Sequence, residues 1–216
     1  LHHLLSMASG HAQCAKGAME SDPDHNYIRG FFASKLTYAP GERFAYNSGA
    51  TYMLAALIKK LTGRNVREYL IPRLFEPLGI IPGIWESDVN GINFGGWGLY
   101  LTTEDIAKFA NLLLHNGFHD GKQLIPAAYL AEATKKQSDN SMNETPDWQQ
   151  GYGYQFWRSC YGFRGDGASG QYAVVVPEKK LAIAITSCIE NMQDILTALW
   201  EELIPSCNER PLPENP

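Results

Sequence analysis

From residue 51 to residue 63 the chain runs Thr-Tyr-Met-Leu-Ala-Ala-Leu-Ile-Lys-Lys-Leu-Thr-Gly, long enough and rich enough in Ala, Leu and Lys to predict a helix. Gly63 supplies its stop, because glycine accepts the left-handed conformation that closes a helix. Asn65 then caps a second helix, with Glu68 at the capping-box position. This helix is expected to reach Phe75 or Leu78, bent where Pro72 removes a backbone donor. The glycine-rich stretch 79–100 predicts loops. Thr102 caps a third helix, Glu104 to His115, whose apolar face carries Ile106, Phe109 and Leu112 to Leu114. Pro126 opens a shorter helix towards Lys136, and the polar segment 137–151 predicts a surface loop.

After Gly151 the pattern shortens to strand-like runs: Tyr152 to Arg158, Gln171 to Val176 and Leu181 to Ser187. Pro177 to Lys180 forms the hairpin between the last two, and Met192 to Leu203 closes the chain as an amphipathic helix. Helices first, then an antiparallel meander, then a helix: this order predicts an α/β (α+β) domain with a sheet flanked by helices. One domain over 1–216 is expected, with 205–216 as a flexible tail. Three strands are the lower end for a stable sheet, and Leu1 to Leu5 reads like the interior of a domain. Further strands are therefore expected before Leu1.

Composition narrows the classes. With 44% hydrophobic and 19% charged residues over 216 positions, the chain is globular. A net charge of −5 with scattered basic residues predicts no nucleic-acid partner, and no apolar run is long enough to span a membrane. No leader is legible, but the chain does not start with Met, so this says little about compartment. Cys14, Cys160, Cys188 and Cys207 form no Cys-x-x-Cys pair and read as free thiols, which leans towards a reducing cytoplasm. Asn143-Glu144-Thr145 fits the short glycosylation pattern. His2, His3, His11 and His25 lack metal-ligand spacing, so no metal and no cofactor is expected. Gly165-Asp166-Gly167-Ala168-Ser169-Gly170 matches a dinucleotide fingerprint in letters, but a strand and not a helix follows it. Its glycines read instead as a place where something approaches the backbone closely.

Chemistry-bearing candidates concentrate at Tyr46, Asn47 and Ser48, on a turn that feeds a helix N-terminus. From the residues alone two accounts stay open. The polar groups converge on a ligand, or Asn47 or Ser48 caps the helix while Tyr46 is an ordinary half-buried ring. Trp97, Tyr152, Tyr154 and Trp157 read as core or pocket wall, and Tyr100 beside the glycine-rich loop as a possible lining residue.

Five segments in chain order resemble the class C β-lactamase-like family of serine hydrolases and penicillin-binding proteins. They are Leu1-His2-His3-Leu4-Leu5-Ser6-Met7-Ala8-Ser9-Gly10, Pro40 to Gly49, Arg73-Leu74-Phe75-Glu76-Pro77-Leu78-Gly79, Gly95 to Asp105, and Gly165 to Gln171. The resemblance implies a DD-peptidase/β-lactamase-like fold, with the N-terminal strands missing from 1–216, and acyl transfer to a serine of a Ser-x-x-Lys motif. It assigns Tyr46 to proton transfer and Ser48 to the polar position two residues on. Asp166 takes the first position of the Lys/His-x-Gly motif, and Ser169 the strand position whose N–H binds the oxyanion. Tyr100, Arg164, Gly167 and Ala168 would line the substrate site. The implied partner is a small ester, amide or peptide; the oligomeric state is not legible.

Two departures qualify the likeness. No serine in 1–216 is followed three residues on by lysine, so the nucleophile is expected some tens of residues before Leu1. Asp166 stands where the family carries Lys or His, and an aspartate would repel a substrate carboxylate. Arg164, two residues earlier on the same strand face, either neutralises Asp166 or forms with it an ordinary edge-strand ion pair of little worth. The alternative class is a non-catalytic binding or scaffolding relative of the same fold.

Overall fold

The computed structural model describes residues 1–81 and 83–207. Short helices α1 (His2–Leu5), α2 (Lys16–Glu20) and α3 (Tyr27–Ala33) gather around the long helix α4 (Ser48–Thr62). Helix α4 begins three residues earlier than Thr51 because the Asn47 side chain accepts from Gly49 N–H at 3.0 Å and so supplies the cap. Gly63 closes it in the left-handed conformation, φ 72°. Tyr52, Met53, Ala55 and Ala56 of α4 meet Met7, Met19, Phe31 and Trp157 in the first core cluster.

The Asn65–Glu68 capping box opens α5 (Val66–Leu70) as its residues predict. Pro72 does not simply bend the continuation: the chain widens into a π turn over Ile71–Phe75, the usual outcome where a backbone donor is missing. A second capping box, Thr102 with Asp105, opens α6 (Thr103–Leu114), and α7 covers Ala127–Thr134. Between α6 and α7 a small hairpin joins β1 (Phe118–His119) to β2 (Lys122–Gln123), a pair absent from the sequence reading.

The main sheet is an antiparallel meander of four strands, not three: β3 (Trp157–Ser159), β4 (Gly162–Gly167), β5 (Gln171–Val176) and β6 (Leu181–Ile185). The run Tyr152 to Arg158 is mostly not strand. Gln155 takes φ 63°, Gly151 takes φ 108°, and only isolated bridges at Tyr152 precede β3. Alternation along β5 sets the layers. Tyr172, Val174 and Val176 pack on Leu196 and Leu199, whereas Val175 packs on Ala110 and Leu113 of α6. Helix α6 thus covers one face, and α8 (Met192–Ala198) with its π extension Leu199–Leu203 covers the other.

The segment 137–151 is less superficial than its polarity suggests. Asn140 and Asp147 are buried within it. Asn140 accepts from Gly151 N–H at 2.6 Å, and Asp147 accepts from Trp200 Nε1 at 2.9 Å and from Gln193 Nε2 at 2.7 Å. The expected tail at 205–216 starts inside a helical turn, α9 (Ile204–Ser206); residues 208–216 lie outside the described residues. All four cysteines are free. Among the described residues no helix is long and apolar enough to cross a membrane, and no group of His, Cys, Asp and Glu is placed to hold a metal ion.

Candidate active site

Three elements that are far apart in sequence meet at one cavity of about 360 Å³. The turn before α4 brings Tyr46 and Ser48, the end of β4 brings Asp166, Gly167 and Ala168, and the strap before α6 brings Gly96 and Trp97. Trp148, Trp157, Met192 and Lys16 complete the lining. The strap can lie this close only because Gly95 has no side chain: a Cβ there would sit 3.0 Å from Thr51 O, at φ 73°. Tyr46 also borders a second cavity, of about 330 Å³, towards Tyr38 and Arg43, which no other sequence-predicted residue reaches.

Asn47 fixes the turn. Buried, with its Oδ1 accepting from both Gly49 N–H and Ala15 N–H at 3.0 Å, it ties the start of α4 to the start of α2. The capping account holds for Asn47. Asn47 is the cap, which leaves Tyr46 and Ser48 to face the cavity. The Tyr46 ring stacks on Trp157, centroids 5.5 Å apart at 15°, while 42% of the residue stays exposed. Its phenol is pushed above the ordinary tyrosine range by burial first, then by the charge of Asp166 and by Cys14.

Asp166 and Arg164 point to the same side of β4, as alternate residues must. Arg164 Nε lies 3.0–3.1 Å from both Asp166 carboxylate oxygens. Arg164 Nη1 donates to Asp147 O at 3.1 Å and Arg158 O at 3.0 Å, and the guanidinium lies 4.8 Å from the Trp148 ring centroid. This corrects the edge-strand account. Strand β4 is interior, Arg164 is 0% exposed, and the pair is buried. Burial raises the Asp166 carboxyl to about 7 against the pull of Arg164.

Five of the eight sequence-derived candidates, Tyr46, Ser48, Asp166, Gly167 and Ala168, share the cavity. Three stand apart from its lining. Tyr100 is 60% exposed and donates to Glu86 at 2.9 Å; Gly96 and Trp97 hold the place expected of it. Arg164 has no free surface and acts from behind Asp166. Ser169 sits in the tight β4–β5 turn at φ 67°, where its carbonyl accepts from Ser187 Oγ at 2.9 Å and Ile189 N–H at 3.0 Å. Lys16 and Trp148 escaped the sequence reading, because neither lies in a motif and each reaches the cavity only through tertiary packing.

A family model described as Beta-lactamase matches residues 1–194. Lovastatin esterase of Penicillium rubens is 29% identical over an alignment covering 59% of this chain and 39% of that protein. A Bacillus anthracis protein assigned as a 6-aminohexanoate-dimer hydrolase superposes with TM-score 0.71 at 23% identity, over 94% of this chain and 60% of that one. A penicillin-binding-protein homologue from Caulobacter crescentus gives TM-score 0.70 at 18% identity, over 87% and 65%. The two structural likenesses speak for the fold alone: mixed helices and an antiparallel sheet of the β-lactamase/DD-peptidase type. The chain spans well under half the length of the esterase it matches.

Proposed function

This chain belongs to the β-lactamase family, and on that premise we propose that it forms the C-terminal part of a serine hydrolase that cleaves an ester or amide through an acyl-serine. The observation that carries this reading is the shared cavity: Tyr46 and Ser48 from the α4 turn face Asp166, Gly167 and Ala168 from the end of β4. The nucleophile belongs to a Ser-x-x-Lys segment before Leu1. Its hydroxyl attacks the substrate carbonyl and Tyr46 takes the proton. Backbone N–H groups at the nucleophile and at Ser169, the turn residue that follows Ala168 of the lining, hold the oxyanion. Tyr46 then returns the proton to the leaving alkoxide or amine, and water frees the acyl group by the same steps in reverse. A phenol raised by burial and by Asp166 is a poor base at neutral pH on its own. The ammonium of the motif lysine, placed beside it, lowers its pKa towards the working range. The likeness to an esterase supports an ester as the scissile group.

A non-catalytic binding relative of the same fold is the competing reading. Hydrolysis of a p-nitrophenyl ester separates the two. The natural protein is expected to give a burst followed by steady turnover, and the isolated 216-residue chain only residual rates. No turnover by the natural protein would favour the binding relative, and a burst from the isolated chain would refute the assigned nucleophile.

A further inference from the structure

The cavity's charges are unevenly presented. Of the residues that line it, only Lys16 and Asp166 bear a formal charge. The Asp166 side chain is covered and sits on Arg164, whereas the Lys16 side chain keeps 43% of its surface exposed. The remaining side chains, Tyr46, Ser48, Trp97, Trp148, Trp157, Ala168 and Met192, are neutral. Among the lining residues of 1–216, Lys16 thus presents one accessible ammonium on an otherwise aromatic and polar wall.

Lys16 is held there by construction. Ala15 N–H is bound by Asn47, so the residue before Lys16 is fixed to the same side chain that caps α4. The Lys16 Nζ lies 5.2 Å from the centroid of Trp97, whose indole is stacked on Phe94 at 4.6 Å. Ring contact of this kind favours the cation and narrows the space it samples. The pairing with Glu20, one helical turn on, is 3.3 Å long and half-exposed, a weak interaction that an incoming anion can replace.

We infer that Lys16 is a specificity-determining residue of this site and that it selects acyl substrates bearing a carboxylate, which pairs with the Lys16 ammonium while that ammonium rests over the Trp97 ring. The inference rests on the acyl-serine reading for the reaction, but not for the binding. It places the cleft's anion-attracting charge on α2 and not on the strand where the family carries it, while Arg164 masks the charge of Asp166.

Two assays on the natural protein test it. In the first, kcat/KM is compared for mono-p-nitrophenyl glutarate, which carries a carboxylate, and p-nitrophenyl butyrate, which does not. Lys16→Met is expected to lower the glutarate-to-butyrate ratio about tenfold, mostly through KM, the scale of one partly exposed ion pair in a cleft. Lys16→Arg is expected to restore most of the ratio. The second assay needs no turnover: glutarate and glutaramide are titrated against tryptophan fluorescence. Wild type is expected to bind glutarate the more tightly, and Lys16→Met to lose that preference. If neither ester is cleaved, the hydrolase reading fails and the titration still decides the role of Lys16. An unchanged ester ratio, or an unchanged glutarate preference in Lys16→Met, overturns the inference.

Discussion

Tyr46→Phe in the natural protein is expected to lower ester turnover a hundredfold or more, about the contribution of a placed general acid–base group. The substitution removes one oxygen and keeps the ring. The stack on Trp157 at 5.5 Å and the edge contact with Tyr152 at 6.3 Å both survive it, so the fold should melt where the wild type does. The loss should appear in kcat, because the hydroxyl is used when the proton moves and not when substrate binds. Steady-state kinetics with p-nitrophenyl butyrate, read beside a melting curve, checks both halves. Near-normal kcat with an intact fold would make Tyr46 a wall residue and remove the proton-transfer step from the account.

The second large effect is on stability. Arg164→Met keeps a long apolar stem but deletes a guanidinium that holds the Asp166 carboxylate and two backbone carbonyls. Breaking a buried pair from one side costs about 3–5 kcal/mol where the remaining group is charged, which for Asp166 is above about pH 7. For a chain of this size that is a fall in melting temperature on the order of 10 °C. The pH dependence has a definite sign. Asp166 holds its proton up to about 7 in the folded protein, above the ordinary aspartate value of 3.8, so the folded state binds more protons than the unfolded chain between those values. Its contribution to stability is thus full below about 4 and is lost as pH rises towards 7. Without Arg164 the folded pKa climbs further, and the loss continues to higher pH. The melting deficit of Arg164→Met should therefore be larger at pH 8 than at pH 5. A deficit that shrinks on going to pH 8 would mean that the pair is not what sets the proton affinity of Asp166.

What was legible in the sequence was local. Asn65 with Glu68, Thr102 with the first turn of α6, and Gly63 after α4 announce helix ends through bonds made within a few residues, and all three hold. Strand β4 was illegible, because Gly162, Gly165 and Gly167 carry no strand preference; its pairing with β3 and β5 makes it a strand. Tyr152 to Arg158 failed in the opposite sense, since its aromatics mimic strand alternation while Gly151 and Gln155 turn the backbone. The polar look of 137–151 hid the buried Asn140 and Asp147, whose partners Gly151, Gln193 and Trp200 lie 11 to 53 residues away. The same limit applies at the site. Tyr46, Ser48 and the end of β4 were found through family motifs. Lys16 and Trp148 reach the cavity from unpatterned segments through long-range contacts, among them the Asn47–Ala15 bond and the packing of Trp148 on Trp157.

The central claim is that residues 1–216 supply the proton-transfer and oxyanion side of an acyl-serine site whose nucleophile lies outside them. Labelling the natural protein with a fluorophosphonate and mapping the adduct by peptide mass spectrometry addresses it most directly. The account predicts a single modified serine, three residues before a lysine, on a peptide preceding Leu1, with labelling slowed in Tyr46→Phe. A stoichiometric adduct on any residue within 1–216, or no adduct on a protein that still cleaves the ester, would contradict it.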